Sequence, residues 1–175
     1  MRKVLALAIV GMFALMFVMM PARAAPSGKS GALHARVSIV WTDPTAAWWG
    51  PMTGDIEGMA IYPPDPERPN WVSSYHENHL VVHFHELFTI CIGEVAKPDG
   101  CQNPKSYITG HEEGVYILNP PWEKWHFQAH GWVTGASADY AYLIGWKYLE
   151  NGWVAGINAP NTCLGIADVL IAPAA

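Results

Sequence analysis

Apolar and polar residues alternate along several stretches of this chain. In residues 33–41 apolar side chains hold every second position, with His, Arg and Ser between them, and residues 79–91 repeat the pattern. A period of two is typical of a half-buried β-strand. The same reasoning predicts further strands over 54–62, 106–118, 123–134, 139–149, 152–158 and 164–172.

Clusters of Gly, Pro, Asn and Asp separate these stretches and indicate turns. The clearest is Asn151-Gly152, because both residues tolerate the positive φ that a type I′ hairpin turn requires. About eight short strands joined by hairpins predict an all-β protein with a single antiparallel β-barrel, and a β-sandwich is the alternative. Segments 48–51 and 63–70 are then expected to be long loops at the barrel mouths.

The first 24 residues have a different pattern. Arg2 and Lys3 precede an unbroken apolar run over 4–20 that ends at Pro21, and Ala22-Arg23-Ala24 then offers small residues for a cleavage site. This order predicts a signal peptide over 1–24, followed by a flexible leader over 25–31 and the barrel domain over 32–173. The apolar run is close to the shortest transmembrane helix, so an uncleaved membrane anchor is the alternative. Either way, the protein is expected to be secreted or held in the cell envelope.

Composition and charge narrow the range of functions. The chain has 175 residues, of which 14% are charged and 12% aromatic, and this balance is typical of a folded domain. Its net charge of −5, without a cluster of Lys and Arg, argues against a nucleic-acid partner. Of the three cysteines, Cys91 and Cys101 flank a predicted turn and are a candidate disulfide pair. Pairing of Cys163 with either remains equally allowed by the sequence.

Several segments of the chain carry a resemblance to a known family. They are 54–58, 82–90, 125–135 and 142–145. In strand rhythm and glycine placement, residues 53–158 resemble the secreted barrel proteins related to allene oxide cyclase, with dirigent proteins as more distant relatives. The resemblance implies an eight-stranded barrel with an apolar cavity that holds or shapes a small organic molecule.

Glu86 is the one carboxyl in register with the apolar face of the strand over 79–91. A lone carboxyl in apolar surroundings loses hydration, so its pKa should rise. Such a group serves general acid/base chemistry or anchors a polar ligand atom. If the strand twists or ends there, Glu86 instead lies at the barrel mouth or pairs with a cation.

Aromatic residues are abundant, with nine Trp and seven Tyr. An alternating stripe in 140–148 is expected on one strand face, either as ligand-binding wall or as barrel core. Trp48, Trp49 and Trp71 are expected on loops, at a ligand rim or partner surface. The residues predicted to bind a ligand are Phe84, Glu86, Phe88, Tyr142 and Trp146.

Histidines provide a candidate metal site. Those in the 79–91 strand share one face, and those in the 123–134 strand share another, so pairing of the two strands would bring their imidazoles together. Imidazole nitrogens suit copper, zinc or nickel. The alternative is that these residues form the polar, solvent-facing side of each strand. The residues concerned are His79, His83, His85, His126 and His130.

Together these patterns predict an exported β-barrel that binds a small apolar or aromatic ligand in its cavity, with no cofactor required. A cyclase-like enzyme that uses Glu86 is one alternative. A metal-binding module that holds copper or zinc, or an aromatic carbohydrate-binding module, is another. A structural subunit of an envelope or filament is the fourth.

Overall fold

The protein is described from a computed structural model. The structure describes residues 31–41, 47–76, 78–93, 101, 106–120, 123–155 and 163–174. The predicted signal peptide, and the predicted leader except its last residue, lie outside these ranges. Within them, no helix has the length and apolar character needed to cross a membrane.

The described residues form nine strands and one short helix. The strands are β1 (Leu33–Trp41), β2 (Trp48–Gly54), β3 (Gly58–Tyr62), β4 (Trp71–His76), β5 (His79–Ile92), β6 (Ser106–Leu118), β7 (Lys124–Ala136), β8 (Lys147–Ala155) and β9 (Cys163–Ala172). A 3₁₀ helix at Ala138–Leu143 connects β7 to β8.

Eight of the strands close into an antiparallel barrel, and β4 lies outside it. Neighbours around the ring are β1, β2, β3, β5, β6, β7, β8 and β9, with β9 returning to β1. Strand β5 has β6 along one edge. Its other edge pairs with β3 at residues 89–92 and with β4 at residues 79–83. The prediction of a single eight-stranded antiparallel barrel is therefore confirmed.

The alternation seen in the sequence becomes the inside and outside of this barrel. Val37 of β1, Phe88 of β5 and Ile108 of β6 lie in the buried interior. The residue just before each of them, Arg36, Leu87 and Tyr107, is exposed. Burial of these apolar side chains supplies the main driving force for closing the ring.

The prediction for 139–155 is wrong in part, since residues 147–149 and 152–155 are strand as expected but the residues before 147 are not. Instead of a strand over 139–149, residues 138–143 form the 3₁₀ helix, whose Leu143 side chain is fully buried in the core. The turn after it uses Gly145 at φ 88°, a conformation that favours glycine. The aromatic residues at 140, 142 and 146 alternate in sequence but belong to this helix and turn, so they form no strand face.

The predicted hairpin at Asn151-Gly152 is also wrong, because both residues lie inside β8, paired with β7 and β9. A Cβ on Gly152 would lie 3.0 Å from the Phe127 ring and 2.9 Å from Ala167 Cα. Glycine is therefore present here because the neighbouring strand and an aromatic ring pack close to its backbone.

Two other boundaries differ from the sequence prediction. Residues 54–62 are not one strand: β2 ends at Gly54, and β3 begins at Gly58 after a turn in which Asp55 accepts a hydrogen bond from the His34 amide. Gly54 has φ 127°, which suits such a turn. Residues 48–51 belong to β2 rather than to a mouth loop.

A small second cluster lies on the outside of the barrel. Met59 and Ile61 of β3 pack there with Cys91, and Trp49 and Cys101 cover them. Cys91 and Cys101 form a disulfide with Cα atoms 5.5 Å apart, which confirms the predicted pair. The bond ties the chain after β5 to this outer cluster.

Candidate functional site

Three glutamates point into the barrel. They are Glu86 on β5, Glu112 on β6 and Glu150 on β8, and they are 4%, 1% and 5% exposed. Glu86 and Glu112 are direct partners in the β5–β6 register. No Lys or Arg is found among the buried residues that the structure describes. The interior therefore contains three acids with no described cationic side chain to offset them.

Two tyrosines donate hydrogen bonds to these acids, and a third is hydrogen-bonded to one of the two. The Tyr116 hydroxyl donates to Glu86 Oε1 over 3.2 Å, and the Tyr148 hydroxyl donates to Glu150 Oε2 over 3.3 Å. The hydroxyl oxygens of Tyr62 and Tyr148 are 3.0 Å apart. Because phenols donate to carboxyl oxygens without adding charge, they offset part of the cost of burial.

Burial changes the protonation of the three acids. Loss of hydration, with added repulsion from Glu150, raises the pKa of Glu86 to about 8, although hydrogen bonds from Tyr116 and Trp48 oppose the shift. Loss of hydration also raises the pKa of Glu150 to about 7. The pKa of Glu112 rises well above its usual range, by desolvation and then by the charges of Glu150 and Glu86.

The raised pKa values give Glu112 and Glu150 different protonation states near neutral pH. Glu112 retains its proton and hydrogen-bonds to Glu150, which is the more acidic of the pair. Near neutral pH the cluster therefore holds both a proton donor and a proton acceptor. The second oxygen of Glu112, Oε2, is buried and has no hydrogen-bond partner among the residues that the structure describes.

A cavity of about 10 Å³ lies among these acids. Apolar and aromatic residues complete its lining, and they are Ile39, Trp48, Phe84, Phe127 and Val154, with Tyr62 and Tyr116. This volume holds about one water molecule. Trp48, Ile39 and Val154 place the cavity toward the end of the barrel where β1 ends and β2 begins, away from the 3₁₀ helix.

Near Glu86, the segment that pairs with β5 in the barrel wall is no longer β3 but the chain that follows it. Beyond the end of β3, the Leu87 amide donates to the Pro63 carbonyl, and the Asp65 amide donates to the His85 carbonyl, each over 2.9 Å. Pro64 faces Glu86 in an isolated bridge between these two bonds. The chain then leaves the wall and returns as β4.

The predicted ligand-binding residues occupy different places. Phe84 and Glu86 line the cavity together. Phe88 lies deeper in the barrel, stacked on Tyr148 at 4.1 Å between ring centroids. Tyr142 and Trp146 pack against the core around the 3₁₀ helix, at the other end of the barrel, so they are not in the described lining of this cavity.

The two strands that carry the candidate metal-binding histidines, β5 and β7, do not pair, because β6 lies between them. His83 and His85 face outward on β5, and His126 and His130 face outward on β7. Within the described part of the chain, no group of three or more His, Cys, Asp or Glu is arranged to hold a metal ion. His79, at the start of β5, is half-buried.

Sequence reasoning missed Glu112 and Glu150, whereas Trp48, which was expected at a ligand rim, does line the cavity. Glu112 could have been found, because it falls in register with the buried residues Ile108, Tyr116 and Leu118 of a strand whose bounds were predicted correctly. Glu150 could not, because the expected hairpin at 151–152 placed it at a turn. Trp48 and Trp71 lie on β2 and β4 rather than on loops.

Comparison with family models, with curated proteins and with solved structures gives no match for this chain.

Proposed function

We propose that this β-barrel protein binds one small aromatic or apolar molecule inside its barrel, with Glu86 as the polar anchor. The observation that carries this proposal is the position of the Glu86 carboxyl, which is buried in a cavity walled by the aromatic rings of Trp48, Phe84, Tyr116 and Phe127. Ligand sites typically combine apolar and aromatic walls with a few fixed polar groups.

The protonation of Glu86 determines what it anchors. With a pKa of about 8, the carboxyl is mostly neutral at pH 7 and can both donate and accept a hydrogen bond. Tyr116 holds its Oε1 atom in place. A ligand with one carbonyl, hydroxyl or ether oxygen on an otherwise apolar skeleton suits this arrangement.

Binding of an organic molecule requires the cavity to expand. At about 10 Å³ it holds one water molecule, so a ligand must displace that volume and part of the wall. Trp48 is the side chain best placed to move, because it is only half-buried and lies at the first residue of β2. Its ring is 6.1 Å from that of Tyr116, and separating the two would extend the cavity toward the barrel end.

A fluorescence titration with N-phenyl-1-naphthylamine, a neutral aromatic probe, tests this proposal. We expect saturable binding at one site, with native mass spectrometry giving one probe per chain. Glu86→Leu should weaken binding about tenfold, because the polar contact is lost. Glu67→Gln, at an exposed position, is the matched control and should bind as the parent does. Absent saturation, or equal affinity in Glu86→Leu, would refute the proposal.

A second candidate function is proton-transfer catalysis, and the Glu112–Glu150 pair favours it. A protonated carboxyl bonded to an ionised one, with Glu86 beside them, supplies an acid and a base near neutral pH. The resemblance to allene oxide cyclase suggests cyclisation of an unsaturated lipid epoxide as the reaction to test. Turnover that is lost in Glu86→Gln while probe binding persists would support it, and no turnover by the parent would exclude this reaction.

We also propose that the protein acts outside the cytoplasm. The Cys91–Cys101 disulfide supports this location, because such bonds persist mainly in oxidising compartments. Mass spectrometry of the protein exported by its own host would give the processing site, and an intact 1–24 segment would contradict signal cleavage.

A further inference from the structure

We infer that the outer wall of the barrel carries a second binding site, a groove that accepts a neutral carbohydrate. The groove has a volume of about 560 Å³ and runs across the outer faces of β5, β6, β7 and β8, with Trp71 of β4 at one side. This volume lies within the range of small-molecule sites. The site is separate from the interior cavity, because its outward-facing side chains lie on the opposite side of the same strands.

One side of the groove is aromatic. The β4–β5 register places Trp71 beside His83. Their rings stack with centroids 4.6 Å apart and planes 4° from parallel, and the His85 ring lies 5.0 Å from the Trp71 ring. Trp71 is nevertheless 46% exposed. Stacked rings with exposed area give a rigid apolar surface that costs little conformational entropy to use.

The middle of the groove is polar, and its charge is offset locally. Glu113 lies between His85 and His130 in the strand register. Its carboxylate oxygens are 3.5 Å from His85 Nδ1, 3.4 Å from His130 Nε2 and 3.5 Å from Arg68 Nη1. These distances are longer than those of good hydrogen bonds, so the Glu113 carboxylate keeps acceptor capacity that ligand hydroxyls can use.

The opposite side adds an amide and an apolar side chain. Val115 of β6 pairs with His83 of β5 on one side and with Gln128 of β7 on the other, so Gln128 lies two strands from His83. Leu149 of β8 pairs with His130 of β7. Two strand spacings are about 10 Å, which leaves room for one ring between the sides. The groove therefore offers a ring-sized gap bounded by apolar surface and by several donors and acceptors.

This combination favours a sugar over other small molecules. A pyranose has apolar C–H faces for aromatic and aliphatic walls, and hydroxyls for the carboxylate, amide and imidazoles. A purely apolar ligand would cover the Gln128 amide and the remaining acceptor sites of Glu113 without forming hydrogen bonds to them. A strongly charged ligand gains little, because Glu113 already lies beside Arg68.

The test is titration of the full protein with cellotriose, maltotriose and chitotriose, followed by calorimetry and by saturation-transfer NMR. We expect at least one of the three to bind with Kd of about 1 mM or tighter. Trp71→Ala should weaken that sugar about tenfold or more, and Glu113→Gln should weaken it severalfold. Trp132→Ala removes a comparably exposed indole from the same wall outside the groove, so its affinity should equal that of the parent.

Two outcomes would overturn this site: no binding of any of the three sugars, or unchanged affinity in both groove variants. Because Trp71→Ala could disturb β4, the Glu113→Gln result decides the question if circular dichroism shows that strand content is lost. Glu86→Leu should leave sugar binding unchanged, so this site and the proposed interior site succeed or fail independently.

Discussion

Glu112 faces Glu86 directly across the β5–β6 ladder, and both side chains point into the barrel. Like charges in directly opposed positions destabilise a sheet. The pair is tolerated because desolvation keeps the pKa of each acid raised, so protons replace the missing cations. The stability of the barrel is consequently tied to pH.

We predict that the free energy of unfolding falls as pH rises from about 4.5 to 8. Glu86 has a folded pKa of about 8 against an ordinary value of 4.5, and Glu150 has about 7. Between these values the folded state binds more protons than the unfolded chain, so stability is full at acidic pH and is lost as the acids ionise. The loss should be roughly 1 kcal/mol for each pH unit and each such group.

Urea unfolding between pH 5 and pH 9 measures this slope. Glu86→Gln should flatten it, because an amide does not ionise, and should be more stable than the parent at high pH. The exposed Glu67→Gln variant should keep the parent slope. A parent whose stability rises with pH over this window would contradict the protonation scheme.

Tyr116→Phe should raise the pKa of Glu86 above about 8. The Tyr116 hydroxyl donates to Glu86 Oε1, and this bond favours the ionised form. Removing it leaves burial and the charge of Glu150 to act with less opposition. Carboxyl infrared bands or ¹³C-glutamate NMR would follow the titration. Tyr107→Phe, at an exposed position, is the control, and a downward shift in Tyr116→Phe would count against the hydrogen bond.

Leu143→Ala should destabilise the barrel by about 2–5 kcal/mol. The Leu143 side chain is 0% exposed and anchors the 3₁₀ helix in the core, whereas the next residue, Ile144, is 49% exposed. Ile144→Ala is therefore a matched control, expected to change stability by only about 0.5 kcal/mol or less. Thermal or urea unfolding separates the two, and equal losses would mean that the helix does not secure the barrel end.

Gly114→Ala should also destabilise the fold, by about 1–3 kcal/mol or more. A Cβ at this position would lie 2.7 Å from Phe84 Cζ, inside the barrel. Gly31→Ala is the control, since nothing lies within 4 Å of its added Cβ. If both variants unfold at the same urea concentration as the parent, the Phe84 ring is not packed over Gly114.

Most strands of the barrel could be predicted from the sequence, because the alternation of apolar and polar residues that marks a strand involves only neighbouring positions. The bounds of β1 and β6 follow from alternation alone, since each has one face in the core. The structure at Asn151-Gly152 depends on residues distant in sequence. Gly152 can form a turn or make room for the Phe127 ring, and which of the two occurs depends on the strands that pack against it. Likewise, the alternating aromatic residues at 140–146 are compatible with a strand as well as with a 3₁₀ helix, so the pattern alone does not distinguish the two.

The interior site was predictable only in part, for the same reason. Glu86 was found because its strand was correctly delimited. Convergence of Glu86, Glu112 and Glu150 depends on closure of the ring, which brings β8 to face β5 and which no single strand encodes. Pairing of the two histidine-bearing strands, on which the candidate metal site depended, does not occur, because β6 separates β5 from β7, an order that the sequence does not specify.

One edge of β5 pairs with β3 at residues 89–92 and with β4 at residues 79–83. Between these two pairings, beside Glu86, the barrel wall has a short stretch with few backbone hydrogen bonds. Two backbone hydrogen bonds hold the wall there: the Leu87 N–H donates to the Pro63 carbonyl and the Asp65 N–H donates to the His85 carbonyl. Pro64 lies between them and has no N–H to donate. Breaking these two hydrogen bonds would open the side wall of the barrel while the longer β5–β6 and β6–β7 ladders stay intact. Solvent and protons would then reach Glu86 through the flank of the molecule, at far lower cost than by global unfolding.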